Sequence, residues 1–167
     1  MKIRITVLFL IAGLLFYSCN RQGSGTKDII RTVYERFSES FGSVHIYSSD
    51  AAAGDEGWYD EGLVIAMLSE GKSMPEEMSE CAEFSFLCTD GMAVCEVWAI
   101  ECHTYAGARR VEGVFSARKK LLSSLEYENE GDAEAAGAAT VCRSGRHVFF
   151  AACKNGGEVI NYMISLI

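Results

Sequence analysis

The chain has 167 residues, 49% of them hydrophobic with a single proline, and its 15 basic and 23 acidic side chains give a net charge of −8. That length and apolar share suit one domain with a sizeable core. The acidic balance argues against a nucleic-acid partner, which would need clustered Lys and Arg to neutralise phosphate, and against charge-driven binding to anionic lipid headgroups.

Met1–Cys19 has three zones: basic Lys2 and Arg4, an apolar run Ile5–Phe16, and Tyr17-Ser18-Cys19. This is the pattern of a secretory signal over residues 1–18. The run is shorter than the ~20 residues that cross a bilayer core of ~30 Å, so a transmembrane helix is the weaker reading. Phe16-Tyr17-Ser18-Cys19 resembles the box that closes the leader of bacterial lipoproteins, although Phe16 and Tyr17 are bulkier than its usual residues. The resemblance implies diacylation of Cys19 and anchoring at the outer face of a bacterial cell membrane. An ordinary secretory signal or an uncleaved anchor is the alternative. Without Lys2 and Arg4 the chain keeps 13 basic against 23 acidic residues, a net of −10. Residues 19–27, ending in the polar Asn20–Lys27, read as a flexible tether, and residues 28–167 as a single α+β domain.

From Asp28 the period is helical: Ile29, Val33, Phe37 and Phe41 recur at i+4, Asp28 can cap the start, and Gly42 follows the end. Ser43–Trp58, with its SSDAAAGDEG piece, has no period and reads as a loop. Leu63–Leu68 fits a short buried helix or a strand. Two strand-like runs follow, Glu83–Cys88 and Ala93–Glu101, joined by Thr89-Asp90-Gly91-Met92.

This first hairpin allows two registers. With Asp90-Gly91 central, Cys88 faces Ala93; with Gly91-Met92 central, Cys88 faces Cys95 and Cys81 faces Cys102. In the second register Cys88–Cys95 and Cys81–Cys102 are candidate disulfides, because opposed Cα atoms lie about 4.5 to 5.5 Å apart. Free thiols packed in the core are the plainer reading. No metal site is expected: there is no Cys-x-x-Cys, and cysteines on alternate faces of a strand cannot converge on one ion.

A helix from about Tyr105 carries the stripe Ala108, Val111, Val114, Phe115, Leu121, Leu122 and Leu125, with Arg118 inside it. Glu96 interrupts the second strand in the same way, so Glu96 and Arg118 are a candidate charged pair across the helix–sheet contact; a solvated Glu and a solvated Arg are the alternative. Glu126–Gly137 is acidic, rich in Ala and Gly, and reads as a connection. Ala139–Arg143 and His147–Cys153, split by Ser144-Gly145, form a second hairpin before a helical tail, Glu158–Ile167. The expected fold is therefore α+β: a small antiparallel sheet of two hairpins packed by helices, in the order helix, short helix, hairpin, helix, hairpin, C-terminal helix.

The run Cys95-Glu96-Val97-Trp98-Ala99-Ile100-Glu101-Cys102, the helix carrying Arg118, and the close Ala139–Cys153 with Gly145 before His-Val-Phe-Phe together resemble an uncharacterised family of bacterial lipoproteins. The similarity covers roughly Asp60 to Ile167, and Glu96 and Arg118 match its polar positions. It implies export and an α+β fold and names no activity. The sequence has no Gly-x-Ser-x-Gly elbow, phosphate-binding Gly loop or His-Glu-x-x-His, and its histidines, His45, His103 and His147, are scattered. No catalytic residue and no cofactor are expected. The leading expectation is a lipid-anchored, noncatalytic module for a protein or envelope component, ahead of a small-ligand or peptide receptor and of a hydrolase or thiol-redox enzyme outside the membrane.

Overall fold

The computed structural model describes residues 25–89 and 94–167. Its elements are α1 (Thr26–Phe41), β1 (Val44–Ser48), α2 (Glu61–Ser69), a 3-10 turn (Glu76–Glu80), β2 (Cys81–Thr89), β3 (Glu96–Cys102), α3 (Tyr105–Ser124), α4 (Glu130–Gly137), β4 (Thr140–Ser144), β5 (His147–Ala152) and α5 (Gly156–Ile164). The strands make one antiparallel sheet in the order β1-β2-β3-β5-β4. The α+β class and the succession of helices and hairpins are as the pattern predicts, and the Leu63–Leu68 run is helical.

Two elements arise where the sequence reads as loop. β1 lies within Ser43–Trp58 and pairs with β2, so the sheet has five strands rather than four. Its five residues are too few to establish a period, and the long β2 beside it supplies the partner that makes them a strand. α4 lies within Glu126–Gly137, capped by Asn129, whose side chain accepts from the Gly131 amide at 2.8 Å. The residues it buries are Ala135 and Ala136, too small to announce an apolar face.

α1 starts two residues before Asp28, which shortens the expected tether. Asp28 sits in the first turn and is not the cap. The Thr26 amide instead donates to the Glu83 carboxylate of β2 at 2.7 Å. Beside it a buried chain of hydroxyls runs from Thr26 to Ser85, at 3.0 Å, and from Ser85 to Ser48, at 2.9 Å. This tertiary cap satisfies a helix-end donor that the local sequence leaves open.

Helices cover both faces of the sheet. β3 is buried from Glu96 to Ile100. Its Trp98, Ile100 and Cys102 pack with Val111, Phe115 and Leu122 of α3 and Val64 of α2. Its Val97 and Ala99 pack on the other face with Ile29 and Val33 of α1 and Val159 and Met163 of α5. Under α3 one rung crosses four strands: Tyr47 faces Phe86, Phe86 faces Trp98, and Trp98 faces Phe150. The Phe86 and Trp98 rings stack at 4.1 Å, and Phe115 of α3 lies 5.3 Å from both Trp98 and Phe150. Leu125, expected on the buried stripe, is 49% exposed beyond the end of α3.

The second hairpin turns through Gly145-Arg146, since Ser144 faces His147. Gly145 takes φ +62°, and it alone of the two central residues is positive, the pattern of a type II′ turn. α5 begins at Gly156, two residues earlier than expected. A Cβ there would stand 2.8 Å from the Ala138 carbonyl oxygen and 3.0 Å from that of Ala151, so the helix start can lie against the sheet only without a side chain.

Candidate functional site

Glu96 is the first residue of β3, one rung beyond the aromatic row, facing Cys88 on β2 and Ala152 on β5. Strand alternation therefore points it at α3, where Arg118 arrives from the middle of the helix. The two meet: Arg118 Nε donates to Glu96 Oε1 at 2.8 Å. The second carboxylate oxygen accepts from Trp98 Nε1, two residues along the same face, at 3.2 Å. The side chains are 5% and 15% exposed, so this is a buried ion pair rather than a solvated Glu and a solvated Arg.

Burial dominates the electrostatics of Glu96. Loss of water raises its pKa, and the opposing pull of Arg118 and the hydrogen bonds from Arg118 and Trp98 only partly offset that rise. Ionising this carboxylate therefore costs more than in water, and Arg118 and Trp98 offset part of that cost.

The pair lines a cleft of about 260 Å³. Leu63 and Met67 of α2 form one wall, Leu122 and Leu125 with Tyr127 another, and Cys88, Thr89, Val94 and Cys95 form the strand edge. Two hydrogen bonds fix this frame. Tyr127 donates its hydroxyl to the Leu122 carbonyl at 2.8 Å, and the Val94 amide donates to Asp132 of α4 at 2.8 Å. Cys88, Cys95, Leu122 and Leu125 stand out in the sequence as candidate bridges or as a helix stripe, not as lining of a shared cleft, and Thr89, Val94 and Tyr127 carry no signal there. The wall residues come from α2, the first hairpin and the end of α3, and nothing local in the sequence says that these three stretches converge.

The cysteines do not follow either expected register. Cys88 faces Glu96 and Leu87 faces Val97, one residue out of step with a Cys88–Cys95 pair. Cys88 lies in the α3 layer and Cys95 in the α1 and α5 layer, so these two cannot be bridged in this fold. The turn on which both registers depended, residues 90–93, lies outside the described residues. At the far end of the hairpin Cys81 does face Cys102, because Ala82 is an extra residue on β2. This bulge turns Cys81 to the α3 face, where its thiol and that of Cys102 are hydrogen-bonded, both sulfurs being free of a disulfide. The hydrogen bond lowers the pKa of Cys102 and raises that of Cys81.

The histidines stay apart: His45 is on β1, His103 follows β3, and His147 starts β5. Burial lowers the pKa of His147 against the pull of Glu101, whose carboxylate is 3.9 Å away. Among the described residues no group of three or more His, Cys, Asp or Glu could hold a metal ion, and no helix is long and apolar enough to cross a membrane. Cys19 lies outside the described residues. Comparison with known proteins gives no match: no family model, no curated protein and no solved structure is significantly similar to this chain.

Proposed function

We propose that this is an exported module held at the outer face of a bacterial cell membrane by a lipid on Cys19, where it binds an envelope component without catalysis. The observation that carries the reading is the cleft over Glu96 and Arg118, with apolar walls around one oriented ion pair. A pocket for a whole drug-sized ligand occupies about 300 to 1,000 Å³, and this cleft, at about 260 Å³, is smaller. That size favours an anchor group of a larger partner, such as one apolar side chain next to a polar group. The three-zone leader ending in Cys19 and the resemblance to an uncharacterised lipoprotein family support the envelope location. The test is isolation from membranes with the tether intact, comparing the native chain with Leu125→Glu, a change at the exposed rim of the cleft. A partner recovered with the native chain and lost with the variant supports the reading; equal recovery by both places binding elsewhere on the molecule.

A further inference from the structure

Four cysteines at the two ends of β3 form two pairs, of which the second register of the first hairpin anticipates Cys81 with Cys102 and neither register anticipates Cys95 with Cys153. Cys81 and Cys102 are direct partners across β2 and β3. On the other side of β3, the ladder with β5 reaches Glu96 opposite Ala152, and one further step in the same register sets Cys95 against Cys153. The β3–β5 ladder itself ends at Glu96 and Ala152, while on the β2 side the Thr89 amide holds Cys95 in line by donating to its carbonyl at 3.1 Å. Cys95 and Cys153 lie in the same layer, under α1 and α5, and Cys153 is close enough to add to the rise in the Cys95 pKa. Cys88 and Cys142 have no cysteine opposite: Glu96 faces the first and Phe149 the second.

We propose that Cys81 with Cys102, and Cys95 with Cys153, are two redox-active pairs that close as disulfides at opposite ends and on opposite faces of β3, fastening it to both neighbouring strands. Directly opposed residues of an antiparallel pair have Cα atoms about 4.5 to 5.5 Å apart, within the range a disulfide spans. Each closure is an exchange with a small-molecule or protein disulfide. A cysteine thiolate attacks one donor sulfur, breaking the donor S–S bond and releasing a donor thiolate. The partner thiolate then attacks the protein sulfur of the mixed disulfide, forming the cross-strand bond and releasing the second donor thiolate. The two cysteine protons end on the two donor thiols, and two electrons pass from protein to donor. Burial holds Cys95 up at about 12 and Cys153 at about 11, so both are thiols at neutral pH and this pair closes slowly there. Cys95 also lines the cleft, so its closure fixes the strand edge of that site. Supply of a donor in the cell rests on the exported reading; the pairing itself does not.

The experiment uses the full chain, purified in detergent, reduced, and then incubated with oxidised glutathione at mildly alkaline pH. After alkylation it is cut after Glu and with trypsin without reduction. Fragment 81–83 should be linked to 102–109, and fragment 84–96 to 147–154, with Cys88 and Cys142 alkylated. Four of the six described thiols then resist alkylation. A double variant, Cys88→Ser with Cys142→Ser, removes the competing thiols and should still form both links. A bridge within fragment 84–96, or a folded double variant lacking either link, overturns the proposal. Links formed in vitro sustain it whether or not the chain is exported, and their absence overturns it while leaving the export reading standing.

Discussion

At the scale of single residues the Glu96–Arg118 pair governs what the site can do. Both partners are largely withdrawn from water, so removing one strands the other, at a typical cost of about 3 to 5 kcal/mol against about 0 to 1 for an exposed pair. Arg118→Met should therefore lower unfolding free energy by an amount near the first range. A double-mutant cycle with Glu96→Gln, followed in denaturant, should return a coupling energy clearly above 1 kcal/mol; a coupling near zero contradicts the buried pair. The pH dependence has a definite sign. Burial raises the folded pKa of Glu96 above its ordinary value of 4.5, so its contribution to stability is fully present below that value. It is lost as pH rises through the folded pKa, because the unfolded chain gives up the proton first. Unfolding free energy measured from acid to neutral pH should carry this decline in the native protein, and Glu96→Gln should flatten it.

At the scale of elements, helix ends decide how the layers dock. α3 starts at a local cap, Thr104, whose hydroxyl accepts from the Gly107 amide at 2.9 Å, and such a start is readable from the sequence. α5 starts differently: Gly156 is pressed on the backbone of Ala138 and Ala151. Gly156→Ala should push α5 from the sheet and destabilise the fold by about 1 to 3 kcal/mol, as overpacking does. Gly157→Ala, one position on, meets nothing within 4 Å and is exposed. It should be neutral or stabilising by up to about 1 kcal/mol, because alanine is the better helix former. Thermal melts of the two variants side by side give opposite directions if α5 is docked as described, and equal shifts if it is not.

At the scale of the whole molecule, the lipid anchor proposed on Cys19 would set how far the domain stands from a membrane. Six residues, Asn20–Gly25, separate Cys19 from the first helical residue. Even fully extended they span roughly 20 Å, so a lipid on Cys19 would keep the folded part near the surface. Cys19→Ser should move the protein from the membrane fraction to the soluble exported fraction, read by fractionation and immunoblot. A variant that stays with membranes, in cells where the native leader is still cut at the same bond, removes the anchor from the proposal.

The sequence by itself determined what depends on near neighbours. Helical spacing made α1 and α3 visible, two short apolar runs split by a glycine turn made the second hairpin visible, and a polar residue inside each of two apolar stretches marked Glu96 and Arg118. Tertiary structure decided whatever depends on a partner far along the chain. β1 is a strand because β2 lies beside it, and α1 is capped by a carboxylate 57 residues away. The cleft exists because three distant stretches, α2, the first hairpin and the end of α3, converge around one ion pair. The cysteine register shows the limit most plainly. The even spacing of Cys81, Cys88, Cys95 and Cys102 suggests two bridges in one hairpin. A one-residue offset at Cys88 and a bulge at Ala82 keep only the outer pair opposed and leave Cys95 in the layer that holds Cys153. A strand changes faces with every residue, so a single-residue shift that leaves the local pattern intact reverses what each side chain meets.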